Sequence, residues 1–572
     1  MFAGLSTRLL AAGSLVLVAC QPAAPAPPTS AAQPAAAPVS TPVVAAAAPT
    51  VPAATSQPTT VAASTTAVPV KGGTFVDTSI VDAKTMQPLL AQDTGSLAFI
   101  ALQYDAPLLR TDPKTLDPMP FAARSYTISD DKLTITYKLR DDLLWSDGQK
   151  ITSADYKFTW DRMMDEKVNF PYRKLFQDYF TSLTAPDDAT LVFQLKEVFA
   201  PALLYSGIDA IPKHVFENLD INDNPRNNNP TVGSGPFLLK QWRKDEFAEF
   251  AANDHFFLGR PNLDSYLIKI VPDVTVEYSQ FKSQEIDAVA VQPQDWEEAR
   301  NLPFAQPLNY YSANASWSYL AINLRNPILA DRRVRYAISG ALDRQSMIQA
   351  VRLGHAKPLD GPYASASWAY EPDVLHIAYD PAASGKLLDE AGWAINPATG
   401  VRERDGNPLK LRIHYGPPGN KQREQIATIV QQQLKNVGIE LEIIPEDFNA
   451  FLDRTGKTHD FDLTVAGWGA GIDPHASRNL WVSDGGQNET GFQNPEVDRL
   501  YDQAVRVYDQ SERKKFYSQI QKLIAQEQPY VFLWENESLF DLNNRIVLPY
   551  AAGETKTSPI VDPWRWYSKT GQ

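Results

Sequence analysis

Along residues 133–139 and 190–195 apolar and polar side chains alternate, the period-two pattern of half-buried strands. Asp187 and Asp188 mark a turn ahead of the second run. Between the two, residues 152–164 carry a helical pattern, with Thr152 or Ser153 placed to cap it and Asp155 in its first turn. Strand signals of this kind are frequent from Lys71 to about Pro230. Farther along the period lengthens. Ile426, Ile429, Val430, Leu434 and Val437 share one face of a helix over 421–437, Gly438 ends it, and Ile439, Leu441 and Ile443 then alternate as a strand. Residues 332–342 and 381–391 predict two more amphipathic helices, the second stopped by Gly392. Helices alternating with strands predict an α/β protein, and no internal repeat is visible.

Two N-terminal stretches break this pattern. After Arg8 an apolar run over 9–19 is too short to remain as a membrane-spanning helix and reads as the core of a signal peptide. It ends at Leu17, Val18, Ala19 and Cys20, which resembles the bacterial lipobox, where the cysteine is lipidated and the signal is cut before it. An ordinary signal peptide with an incidental cysteine is the alternative. Cys20 is the only cysteine in the chain, which favours lipidation and excludes an internal disulfide. Residues 1–20 are therefore expected to be a lipoprotein signal. Residues 21–70 are rich in Ala, Pro, Thr, Ser and Val and hold no Asp, Glu, Lys or Arg, so they predict a disordered tether. As a flexible coil it would span roughly 40 Å.

The remainder of the 572 residues is too long for one hydrophobic core, and two or three domains are expected. A formal net charge of -14 argues against nucleic acid, whose phosphates need a basic face. Catalytic patterns are missing. No serine sits in a Gly-x-Ser-x-Gly turn; Ser129 with Lys132, and Ser511 with Lys514, have Ser-x-x-Lys spacing but no Ser-Asp-Asn partner. Gly456-Lys457-Thr458 lacks the earlier glycine of a phosphate loop, since Phe451 stands there. The seven histidines show no zinc spacing. No catalytic residue, metal or cofactor is expected, and the chain is not expected to be an enzyme.

Several segments, in order and at suitable separations, resemble the family 5 extracytoplasmic solute-binding proteins, the dipeptide and oligopeptide receptors of ABC importers. They are Lys71-Gly72-Gly73-Thr74-Phe75; Leu139-Arg140-Asp141 with Trp145-Ser146-Asp147-Gly148; Val232-Gly233-Ser234-Gly235-Pro236-Phe237; and Glu285-Ile286-Asp287. Tyr319-Leu320-Ala321-Ile322-Asn323, Asp331-Arg332-Arg333-Val334-Arg335-Tyr336-Ala337, Ala341-Leu342-Asp343-Arg344 and Glu496-Val497-Asp498 follow. Most of these pieces read as structural. Gly233 and Gly235 are expected to set turn geometry, and Val334, Ala337 and Ala341 to be helix core.

The resemblance implies an α/β, two-lobe periplasmic-binding-protein-like fold (type II, cluster C-like) with an extra β-rich domain. Lobe I is expected at 71–102, 213–318 and 531–572, the extra domain at 103–212, and lobe II at 319–530. A peptide-like solute would be captured between the lobes and delivered to the membrane permease subunits of an ABC importer. The chain is expected to be a lipid-anchored monomer on the extracytoplasmic face of the bacterial membrane. A non-peptide solute such as an oligosaccharide, a signalling co-receptor, and an extracytoplasmic hydrolase are the other readings.

The expected pocket loop runs over 466–474, after an expected buried strand at 461–465. In the peptide receptors it carries, three residues after the tryptophan, an aspartate that holds the peptide's amino group. Here Gly471 stands at that position. Asp473 would replace the carboxylate from a shifted backbone, or would merely cap the next helix. Trp468 and Gly469 are the leading ligand contacts; Trp317, Tyr104 and Trp481 are further candidates.

Overall fold

The protein is described by a computed structural model over residues 69–571. The signal with Cys20, and the tether up to residue 68, lie outside the described residues.

Thr74–Ser79 pairs in parallel with Ser265–Ile270, which continues antiparallel to Phe247–Ala252 and then Phe237–Arg243. A three-stranded sheet places Ser538–Asn543 between Ala288–Ala290 and Ala305–Tyr310. Phe75, Phe237, Phe250 and Tyr266 of the first sheet share one core with Leu308, Phe540 and Leu542 of the second, so the two sheets form one lobe. The other lobe is built on a six-stranded sheet in the order Ala356–Pro358, Tyr530–Asn536, Ser316–Ile322, Leu463–Gly469, Lys410–Tyr415, Glu440–Pro445. Its two faces bury separate cores. Leu320, Ile322, Val531 and Leu533 lie on one, Trp317, Tyr319, Tyr530 and Phe532 on the other, as period two requires.

The helix Lys421–Lys435 packs Ile426, Val430 and Leu434 against this sheet. Val334, Ala337 and Ala341 are fully buried beside it, as expected of helix core.

The β-rich part forms a four-stranded antiparallel sheet, Ala123–Ile128, Thr134–Leu139, Thr190–Leu195 and Phe180–Asp187 in that spatial order. Ser153–Met164 crosses it as a helix. Its capping box is complete: the Thr152 hydroxyl accepts from the Ala154 N–H at 3.3 Å, and the Asp155 carboxylate accepts from the Thr152 N–H at 2.9 Å. The core under this sheet draws residues from Leu89 to Val232, so it extends past both ends of the expected 103–212 segment.

Two boundaries move. The strands Ser316–Ile322 and Tyr530–Asn536 each lie whole in the six-stranded sheet, so lobe limits at 318/319 and 530/531 would cut through paired strands. The chain passes between the lobes at residues 311–315 and at the single residue Glu537. Neither 310–322 nor 530–543 holds a glycine or proline, so the strongest boundary signal is missing at both crossings.

Gly233 and Gly235 serve a different purpose from the one expected. Neither has a positive φ. A Cβ on Gly233 would stand 2.3 Å from the Gln103 carbonyl oxygen, and one on Gly235 would stand 2.1 Å from that of Leu102. Their hydrogens let the chain lie against the end of the helix Thr94–Gln103, where the Gly235 N–H donates to Gln103 O at 2.9 Å.

Candidate functional site

The strand Leu463–Gly469 ends at the crossing-side edge of the six-stranded sheet. There Trp468 stands opposite Trp317, Trp317 opposite Glu535, and Glu535 opposite Lys357. Directly paired residues share a face, so these four form one row across four strands. Trp317 is buried against Tyr319, Tyr530 and Phe532. Trp468 is half-buried, lies parallel to Tyr319 at 6.2 Å and donates from its indole to the Tyr530 hydroxyl at 3.4 Å.

Trp317 and Trp468 form one wall of a small cavity. Gly469, Ala470, Gly471 and Asp473 continue it, Ser477 and Leu480 lie beyond, and the loop residues Tyr363, Ala364 and Ser367 face them. The cavity leaves ≈ 20 Å³ for water-sized molecules, room for about one water.

Beneath Trp468 the Tyr530 hydroxyl donates to the buried Glu489 carboxylate at 2.7 Å. Burial raises the Glu489 pKa above the usual carboxylate range, although the bonds from Tyr530 and Tyr319 oppose the shift. This network fixes the tryptophan wall from below.

Asp473 makes the cap that was one of the two expectations for it. Its carboxylate accepts from the His475 N–H at 2.9 Å and caps the short 3₁₀ turn Pro474–Ser477. It is also gripped by Arg513, with Nη1 to Oδ2 at 2.7 Å and Nη2 to Oδ1 at 2.9 Å. Burial alone would raise the Asp473 pKa; the guanidinium more than offsets this and holds it below the ordinary value. Oδ1 accepts two bonds and Oδ2 one, and the Arg513 guanidinium already balances the negative charge that a ligand amine would meet. Gly471 has a steric reason of its own. A Cβ there would lie 2.6 Å from the Ala476 Cβ, so an aspartate fits only if the loop moves.

Two other expected contacts are elsewhere. Tyr104 closes the helix Thr94–Gln103 and is buried in the core under the four-stranded sheet, where it is not part of the cavity wall. Trp481 is fully buried, its ring edge-on to Tyr530 at 4.9 Å, and its neighbour Leu480 reaches the cavity instead. Large aromatics serve cores and cavities alike, and composition does not separate the two.

His475 carries the loop to the extra domain. Its ring meets Phe199 at 5.4 Å, and Phe199 stacks on Tyr179 at 3.6 Å. Close by, the Ala200 N–H donates to Val505 O at 2.6 Å. Burial lowers the His475 pKa to about 4, and its buried Nδ1 has no hydrogen-bond partner. Arg513 belongs to no motif, yet the sequence holds a signal for it: it occupies the apolar stripe of Tyr517, Ile520 and Ile524, where an arginine implies a buried partner. The wall at 362–367 has no regular element and no motif. Among the described residues no group of His, Cys, Asp and Glu is arranged to hold a metal ion, and no helix is long and apolar enough to cross a membrane.

Residues 117–489 match the model of the bacterial extracellular solute-binding proteins, family 5 middle region. The chain belongs to this family. It is 29% identical over 496 residues to the oligopeptide-binding protein AppA of Bacillus subtilis, covering 84% of this chain and 88% of that one. The structure of that AppA in complex with a nonapeptide superposes with a TM-score of 0.69 at 27% identity, over 88% of this chain and 100% of the other. The ABC transporter substrate-binding protein CtaP of Listeria monocytogenes gives 0.75 at 27% identity, over 87% and 99%. The family explains the ordered signature segments and the two-lobe fold that carries them.

Proposed function

We propose that this family 5 protein captures a peptide-like solute between its lobes and hands it to the permease of an ABC importer. The observation that carries this reading is the Trp317–Trp468 wall and its backbone-rich loop, set beside the two interlobe crossings of a chain 29% identical to an oligopeptide-binding protein. Exposed Gly467 and Gly469 present main chain that an extended peptide can pair with, giving affinity with little side-chain selectivity. A space of ≈ 20 Å³ does not hold such a solute, so capture requires the walls at 362–367 and 468–480 to move apart. Closure follows ligand only if ligand contacts both lobes, since its differential affinity supplies the shift.

The same reading includes lipidation at Cys20, a tether over 21–70, action as an extracytoplasmic monomer, and no turnover of the ligand. A second reading, an oligosaccharide, is favoured by one observation: the carboxylate of the pocket loop is sequestered by Arg513, while aromatic faces line the wall.

A thermal-shift screen separates the two. The chain, stripped of carried-over ligand, is heated with mixed peptides or mixed oligosaccharides. A ligand at a hundred times its Kd adds about 2.7 kcal/mol. Stabilisation by peptides supports the first reading; stabilisation by sugars alone replaces it with the second.

A further inference from the structure

Capture requires the wall at 468–480 to move, and that wall is held from outside its own lobe. His475 stands in it, flanked by Pro474 and Ser477, which line the cavity. The His475 ring meets Phe199 of the β-rich part edge-on, with centres 5.4 Å apart. Phe199 is itself fixed: it is 1% exposed, stacks on Tyr179 at 3.6 Å and lies beside Tyr205 at 5.7 Å. Next to it the Ala200 N–H donates to Val505 O at 2.6 Å. Val505 and Tyr508, just beyond the helix Pro495–Ala504, pack against the core under the four-stranded sheet. The Glu197–Arg506 pair at 3.3 Å adds little, since both side chains are more than half exposed. Two consecutive residues, Phe199 and Ala200, thus touch the six-stranded-sheet lobe at two places, and one of these is the wall that has to move.

We propose that this segment is a clasp: the β-rich part holds the pocket loop shut while no solute is bound, and the wall moves out only when His475 leaves Phe199. The clasp acts on the empty protein, so it stands whichever solute is captured. Two opposing effects tune it. An edge-on ring pair is worth about tenfold in an equilibrium constant. Against it, the buried Nδ1 of His475 has no hydrogen-bond partner, a cost relieved when the ring swings out to water. The contact therefore holds the loop and still releases it. It also gives the β-rich part, which contributes no residue to the cavity lining, a share in capture.

The test reads how often the walls part in the purified full chain without ligand. Ser367 lines the cavity and is 9% exposed, so Ser367→Cys places a thiol that dithionitrobenzoate reaches only when the wall is out. Ala427→Cys, 0% exposed in the core on the other face of the six-stranded sheet, reports general unfolding. Each is followed by mass spectrometry of the peptide that carries the new thiol. His475→Ala removes the ring and keeps the backbone N–H that donates to Asp473. It is expected to speed modification at position 367 about tenfold and to leave position 427 unchanged. Phe199→Leu breaks the same contact from the other side and is expected to do the same; it decides the matter should His475→Ala not fold. The clasp is refuted if position 367 reacts no faster in either variant. It is refuted too if positions 367 and 427 speed up together, since that is general loosening and not release of one wall.

Discussion

Arg513 holds both oxygens of Asp473 in a buried fork, at 2.7 and 2.9 Å, and its Nη2 donates also to the Tyr517 hydroxyl at 3.0 Å. The pair fastens the pocket loop to the helix Gln510–Glu527. Removing one partner leaves the other charge buried alone. Arg513→Met is therefore expected to cost about 3–5 kcal/mol at pH 7, read from denaturant unfolding. Asp473 contributes stability above its unfolded pKa, and this is lost as pH falls through its lowered folded value. The gap between variant and wild type should accordingly narrow toward pH 3, where the variant's carboxyl is neutral.

His475 supplies a second pH signature. Its folded pKa, about 4, lies below the ordinary 6.5. The unfolded chain then binds a proton at a pH where the folded one does not, so stability is lost as pH falls from 6.5 toward 4. Asp77, Asp209 and Asp541 act the other way. Burial raises each to about 7, so the folded state gains protons first on acidification. Those groups cancel in a comparison. His475→Asn should lose less stability than wild type between pH 7 and pH 4, by on the order of 2–3 kcal/mol. Parallel stability–pH curves would rule out a buried neutral histidine.

Among the glycines, spatial fit divides the tolerant from the intolerant. Gly235→Ala places a methyl 2.1 Å from the Leu102 carbonyl oxygen, whereas a Cβ at Gly469 meets nothing within 4 Å. Gly235→Ala is expected to cost more than about 4 kcal/mol or to prevent folding. Gly469→Ala should change stability by less than about 1 kcal/mol. Melting temperatures of the two variants check both statements.

Residues that repeat with a period are legible in the amino-acid sequence itself. The strands at 134–139 and 190–195, the helix Ser153–Met164 with its capping box, and the helix Lys421–Lys435 lie where periodicity places them. Trp317 and Trp468 form one wall, a pairing set by strand register between distant parts of the chain that no local pattern carries. Arg513 escapes a motif-based reading for the same reason: it matters through Asp473, contributed by distant chain, and stands in no motif. The lobe boundaries fall away from their expected positions because no glycine or proline marks either crossing.

Hydrogen–deuterium exchange of the full chain, with and without a mixture of lysine-free, free-amine peptides, tests the central claim most directly. Capture at the tryptophan wall predicts slowed exchange at 466–480 and 362–367, together with the crossing segments at 311–315 and 537. Exchange that slows only outside these segments, or slows in them for oligosaccharides but not for peptides, would contradict the account.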